Sequence, residues 1–359
     1  MAKYYDIRDD LNKYPDAWLY LIYSKRGPGK TYSTLRYVIE NNIKFIFMKR
    51  TQNDVELLCA QHGKLSDKMV DFSPFVPLNR DFGWNIKADL IDDGLAAFYN
   101  FEVNEDGKEV PVGEALAYIL ATTTATKYKG FDMSDCEVMI FDEFIPRPWE
   151  RVNRKEGDQL LDLYLTVSRD RLKRGRNELK LICLANATSI NNPVFLTMNV
   201  MDVAADMNVT GSEYHYDEYR GILMHQIDSE FDAEAGVKKS GIERAMENTQ
   251  FGAMAFGGKF GYNDFSALNK AKMKNYTPRA SYRYKNKNVY IYQNQEKYYL
   301  TFSSYQKAEP YNLDQENQQK KFYYDWVIDI MNENIEGNVF FEKYSMYDLI
   351  VNYKKIFNI

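Results

Sequence analysis

Apolar residues are distributed along this chain in two alternating textures. Five short continuous runs, "AWLYLIY" (17–23), "KFIFMKR" (44–50), "AYILATT" (117–123), "CEVMIFDEF" (136–144) and "LKLICLANA" (179–187), have the length and density of strands buried on both faces. Between them the apolar positions recur at helical spacing. Leu35, Val38 and Ile39 in "TYSTLRYVIE" (31–40) predict one helix, and "DQLLDLYLTVSRDR" (158–171) predicts another. Strand and helix thus alternate over the first 200 residues, the signature of an α/β layered domain. From 81 to 120 the runs shorten around "DDG" (92–94) and "NEDGK" (104–108), which predicts a β-hairpin excursion from the sheet. Residues 201–250 are polar and without a clear period, so they fit a linker or a small helical subdomain. A second unit over 251–359 holds a predicted hairpin, "NVYIYQNQEKYYLTF" (288–302), and a predicted helix, "FYYDWVIDIMNENI" (322–335).

Composition narrows this picture in a few places. At 359 residues the chain is long enough for two cores. A net charge of −5 means that any nucleic-acid surface must be local. No apolar run is long enough to span a bilayer, and "MAKYYDIRDD" has no signal-peptide pattern. Three dispersed cysteines and three histidines offer no metal-ligand spacing, as expected of a reducing compartment without structural zinc.

The chemistry is concentrated at two strand ends. After the first run comes "SKRGPGKT" (24–31), in which Ser24 stands where a phosphate-binding loop has its leading Gly, followed at the right spacing by Gly29, Lys30 and Thr31. Gly27 and Gly29 would free backbone N–H groups to point inward at phosphates. Lys30 would meet the β- and γ-phosphate oxygens, the Thr31 hydroxyl would ligate Mg²⁺, and the start of the following helix adds its positive end. The other reading is a Gly/Pro turn. "VMIFDEF" decides between them, because it ends a buried strand in Asp142 and Glu143, a metal-holding acid followed by one able to orient and deprotonate water. Together these predict an ATPase using ATP and Mg²⁺. Two further stretches stay open on the residues alone. "TVSRDRLKRGR" (166–176) is either a basic helix end or the source of an arginine for a neighbouring subunit. In "CLANATS" (183–189), Asn186 and Thr188 either sense a γ-phosphate or turn the chain.

"RGPGKT", "IFDEFI", "TVSRDR" and "CLANATSINNPVFL", in this order and at these intervals, resemble the DNA-packaging ATPases of phi-29-type bacteriophages, within the terminase-like motors. "FIFMKR" is similar to that family's second strand, which ends in paired basic residues. The resemblance covers about residues 15–200. It implies a P-loop NTPase sheet of the additional-strand, catalytic-glutamate type, flanked by helices, followed by a smaller RNase H-like α+β domain over 251–359 that has lost its nuclease carboxylates. It implies a ring, a pentamer in that family, that drives double-stranded DNA into a preformed capsid at the portal, in host cytoplasm, with a structural RNA as a further partner. By position, Ser24, Arg26, Gly27, Gly29, Lys30 and Thr31 fall on the nucleotide, Asp142 on the metal and Glu143 on the catalytic glutamate. Arg169 falls on the finger that acts on the neighbour, with Arg171 as its substitute, and Asn186 on the coupling motif.

In the C-terminal part, 259–307 carries ten Lys/Arg against two acids, interleaved with Tyr and Phe. Such a run is either a solvated face or a phosphate-binding surface. Lys270, Lys272, Lys274, Arg279, Arg283, Lys285 and Lys287 are its candidate nucleic-acid contacts. Asp264, Glu296 and Asp314 are scattered in turn-like contexts and predict no two-metal nuclease site. Two other functions compete with packaging: a terminase-like motor that also cleaves DNA, and a nucleotide switch that moves nothing.

Overall fold

The computed structural model describes residues 4–59, 72–128, 130–147, 149–150, 152–227, 240–257, 260, 263–268, 275–305 and 309–359. These form two compact units, one of residues 1–198 and 210–262, the other of 199–209 and 263–359.

In the first unit a short helix, α1 (Ile7–Lys13), precedes β1 (Leu19–Ser24), α2 (Lys30–Glu40), β2 (Phe45–Lys49), α3 (Gln52–Cys59) and α4 (Val76–Phe82). Three strands follow, β3 (Ile86–Asp92), β4 (Leu95–Val103) and β5 (Glu109–Ala121), then β6 (Val138–Asp142), α5 (Glu156–Val167), β7 (Lys180–Asn186) and α6 (Pro193–Met198). The helix α7 (Met201–Thr210) lies mostly in the second unit. The strands β8 (Tyr214–Asp217) and β9 (Ile222–Gln226) and the short helices α8 (Gly241–Met246) and α9 (Gln250–Ala255) return to the first.

Nine strands make one sheet in the order β3-β4-β5-β2-β6-β7-β1-β9-β8. From β5 to β9 every neighbouring pair is parallel, so β1, β2, β6 and β7 all end at the same edge. Burial of both faces explains their unbroken apolar runs. Tyr20 and Ile22 of β1 join Leu35, Val38, Val55 and Leu78 from α2, α3 and α4 in one core cluster. Tyr23, pointing the other way, packs its ring 5.7 Å from Phe195 of α6. A helical layer therefore covers each face.

Three expectations change here. The 81–120 stretch is no excursion: β3, β4 and β5 are antiparallel neighbours that extend the main sheet, and the last residues of β5 pair with β2. Of the described residues in 201–250, 214–226 are part of the main sheet, where β9 runs parallel to β1 and β8 pairs antiparallel with β9. The helix expected to reach 171 stops at Val167, with Ser168 as its cap.

The second unit has a five-stranded sheet. It comprises β10 (Thr277–Tyr284), β11 (Lys287–Asn294), β12 (Lys297–Thr301), β13 (Tyr311–Asn312) and β14 (Val339–Phe341), in the order β13-β10-β11-β12-β14. The expected hairpin is β11–β12, and β10 extends it to a three-stranded antiparallel meander. The helices α10 (Glu316–Phe322) and α11 (Ile328–Ile335) are joined by a π turn at Tyr323–Val327, and α12 (Tyr344–Val351) and α13 (Tyr353–Phe357) close the unit. Phe322, Val327, Ile330 and Tyr353 pack with Tyr282, Ile291 and Leu300 in its core.

Candidate functional site

The aligned carboxyl ends of β1, β2, β6 and β7 put Ser24, Lys49, Asp142 and Asn186 along one edge of the sheet, the edge at which open α/β sheets place ligands. The 24–31 loop leaves β1 there. Gly27 (φ +98°) and Gly29 (φ +88°) both adopt the left-handed conformation that favours glycine, and α2 starts directly after, at Lys30. Its first N–H groups thus face out of the helix end, with the charge preference of a helix N-terminus.

Lys30 is buried, and its ammonium donates to Ser24 Oγ at 2.5 Å and to the Lys25 carbonyl at 3.2 Å. Burial pushes its pKa down to about 7, with Asp142 pulling the other way. A phosphate anion arriving there would favour the charged form. Ser24 does more than fill the leading Gly position, since its hydroxyl holds the lysine inside the loop. Arg26 is exposed beside it. Asn186 stands opposite Ser24 in the β1–β7 register, and the Ala187 N–H donates to the Ser24 carbonyl at 2.9 Å.

Thr31 and Asp142, 111 residues apart in sequence, meet across this edge: the Thr31 hydroxyl donates to Asp142 Oδ1 at 2.9 Å. Lys49, at the end of β2, donates to Asp142 Oδ2 at 2.8 Å and lies 3.7 Å from Glu143 Oε2. Although burial works against its charge, Asp142 and Glu143 hold the Lys49 ammonium above its ordinary pKa. A hydroxyl and a carboxylate held together in this way, the carboxylate already facing an ammonium, form an oxygen donor set suited to Mg²⁺. Glu143 has φ +60°, uncommon for a residue with a side chain, and its carboxylate is half exposed toward the edge.

Arg50 explains how that conformation is held. Its guanidinium donates to the Glu143 carbonyl (2.8 Å) and the Phe144 carbonyl (3.1 Å), and pairs with Glu150 (3.0 Å) and Glu156 (2.9 Å). Glu156, in the first turn of α5, is 2% exposed. Burial lifts its carboxyl above the ordinary pKa, with Arg50 pulling the other way. Without Arg50 that pKa rises further. A carboxyl with a raised folded pKa contributes stability at low pH that is lost as pH climbs through the folded value. Arg50→Met should therefore cost about 3 kcal/mol at pH 8 and less at pH 5, read as the difference in Tm from wild type at each pH. Equal losses at both values would mean that Glu156 does not depend on the guanidinium.

Sequence reasoning singled out neither Lys49 nor Arg50 individually. The available signal was a pair of bases ending a buried strand at the edge where the acids also end.

The two arginines after α5 separate cleanly. Arg169 is exposed in the turn that follows the helix. Arg171 is 4% exposed, and its guanidinium donates to the carbonyls of Ser134, Cys136 and Asn177. Burial pulls its pKa below the ordinary arginine value. In this structure Arg171 tethers the turn, and of the two candidate finger arginines only Arg169 is exposed.

The Podovirus DNA encapsidation protein (Gp16) family matches residues 88–321. The chain belongs to this family. It is 27% identical over 273 residues to the DNA packaging protein of Bacillus phage B103, covering 72% of this chain and 69% of that one. It is 26% identical over 252 residues to the DNA packaging protein of Bacillus phage phi29, covering 68% and 63%. The chain thus spans about two thirds of each relative's length. In fold it is similar to a chain of the bacteriophage Phi-29 viral genome packaging motor assembly, with a TM-score of 0.64, 19% identity and 98% of both chains covered.

Among the candidate nucleic-acid contacts, Arg279, Arg283, Lys285 and Lys287 are exposed on β10 and around its turn into β11. Lys270, Lys272 and Lys274 lie outside the described residues.

Proposed function

We propose that this chain is the ATP-hydrolysing subunit of a viral motor that drives double-stranded DNA into a preformed capsid. The observation that carries the reading is the meeting of Thr31, Asp142 and Glu143 beside the Lys30 loop at one sheet edge. Family membership supplies the cargo, since the relatives are DNA packaging proteins. The sheet order supports the additional-strand form of a P-loop NTPase, because β7 lies between β1 and β6.

The reaction is ATP plus water to ADP plus phosphate. The Ser24–Thr31 loop and the start of α2 bind the phosphates through backbone N–H groups, with Arg26 at the rim and Lys30 moving from Ser24 onto phosphate oxygen. Mg²⁺ held by Thr31 and Asp142 would supply neutralisation of the phosphate charge. Glu143 orients the attacking water and takes its proton, and Arg50 fixes the backbone from which it does so. Asn186, beside Ser24, senses whether the terminal phosphate is present. Arg169 stabilises transition-state charge in a neighbouring subunit, which requires a ring; the portal of the capsid is its seat in the host cytoplasm, and a structural RNA is a candidate partner there.

The second unit carries the DNA contacts. Arg279, Arg283, Lys285 and Lys287 would neutralise backbone phosphates, so binding falls as salt rises. We assign it an RNase H-like ancestry from the resemblance, and no cleavage.

Steady-state hydrolysis measured against protein concentration, with and without blunt double-stranded DNA at low salt, tests the whole reading. The rate per subunit should climb with both. A rate flat in both would reduce the chain to an ATPase without a motor, and tight ATP binding without turnover would make it a switch.

A further inference from the structure

Beside the phosphate loop the first unit holds a cleft of about 540 Å³, within the size range of small-ligand sites. Its walls come from the segment leading into α1, one face of α2 and α4, and include Tyr4, Gly29, Tyr32 and Arg36. Gly29 belongs to the loop, and Tyr32 directly follows Thr31. The cleft therefore opens where a nucleotide cradled by its phosphates would send its ribose and base.

One wall is an aromatic ring fixed from behind. The Tyr5 N–H donates to the Pro28 carbonyl and the Ile7 N–H to Ser33 Oγ, both at 2.9 Å. The Tyr5 hydroxyl donates to Asp10, which also bonds His225 Nδ1 on β9, each at 2.7 Å, and Tyr5, Asp10 and His225 are all buried. This chain of contacts ties the N-terminal segment to the loop, to α2 and to the sheet. Yet the adjacent Tyr4 is left 67% exposed, with its ring edge 3.6 Å from where a Cβ on Gly29 would lie. An exposed ring on an anchored backbone has met the backbone part of its ordering cost before any ligand arrives.

The polar groups around it are engaged with one another. Arg8 pairs bidentately with Asp6, the Tyr32 hydroxyl donates to Asp81 at 2.9 Å, and Arg36 pairs with Glu40 at 2.7 Å while lying over the Phe82 ring. Each of these groups would have to give up a partner before it could read the edge of a base.

We propose that this cleft is the nucleobase subsite of the ATPase, in which Tyr4 stacks on the base and binds purines with little regard to their identity. The inference rests on the phosphate-loop reading. Base–aromatic stacking is sequence-tolerant, and losing it weakens binding by about tenfold.

The test is titration of the full chain, in Mg²⁺ buffer, with ATP, GTP and inorganic tripolyphosphate, for wild type, Tyr4→Ala, Tyr4→Trp and Lys30→Ala. Tyr4→Ala should weaken ATP and GTP alike by about tenfold and leave tripolyphosphate unchanged, while Tyr4→Trp keeps both nucleotides. An unchanged nucleotide affinity in Tyr4→Ala, or an equal loss for all three ligands, would overturn the subsite. Lys30→Ala should weaken all three. If tripolyphosphate bound Lys30→Ala as well as wild type, the phosphate loop itself would fail, a pattern distinct from either outcome at Tyr4.

Discussion

Replacing Arg169 by Ala is expected to slow ATP hydrolysis by the assembled protein by about a thousandfold or more while leaving ATP binding intact. The exposed position of Arg169 beyond the end of α5 suits a group offered outward. Buried Arg171, bonded to three carbonyls, keeps the turn in place when its neighbour is cut back. A mixing experiment separates action on a neighbour from action at home. An Arg169→Ala subunit has a whole nucleotide site and no finger, and a Lys30→Ala subunit has a finger and a broken site. Each is expected to be nearly inactive alone, and activity should return when the two are combined. Absence of recovery, with both proteins folded and associating, would rule out a trans arginine at this position.

The second large effect is at Glu143. Glu143→Gln keeps the size and hydrogen-bonding capacity of the side chain but removes the base, so kcat should fall by about 10² to 10⁴-fold with ATP affinity nearly unchanged. The substitution sits on a backbone held by Arg50 at both the Glu143 and Phe144 carbonyls, so the turn itself has no reason to move. Single-turnover hydrolysis with enzyme in excess measures the step directly. A fall of less than tenfold there would assign the water to another group. Glu143 and Arg169 are expected to differ under dilution: loss at Glu143 is the same at every protein concentration, whereas the effect of Arg169 appears only once subunits meet.

Much of the site was legible because it is made of strand ends. A run buried on both faces has few polar residues to confuse its boundary, and the polar residue that ends it marks the sheet edge. Ser24, Asp142 and Asn186 could be placed at that edge from sequence for this reason, and the parallel strands then brought them together. Other features were hidden for equally physical reasons. The strand β9 is only five residues long, two of them the polar His225 and Gln226, and its partner β1 is some 200 residues earlier. Glu156 reads as an acid favoured by the start of a helix, and only the folded chain sets it against Arg50, 106 residues away. Arg171 sits in a run of charge that reads as solvated, yet its guanidinium bonds the Ser134 and Cys136 carbonyls of a different connection as well as that of Asn177 in its own. The start of the second unit at Asn199 was also invisible, because α7 joins that unit by contacts such as Asp202 to Ser345, 143 residues apart.

The helix α5 has a different task at each end. Its first turn carries Glu156, clamped through Arg50 to the backbone of Glu143, and its last residue leads into the turn that offers Arg169. Twelve residues of α-helix span about 18 Å and bend little. If Glu143 and Arg169 act as proposed, the base, tied in through Arg50, and the arginine meant for the next subunit are linked to the two ends of one stiff rod. A tilt of that rod at one end is a message at the other, and a ring of such rods would pass the turn to fire from subunit to subunit without any further wiring.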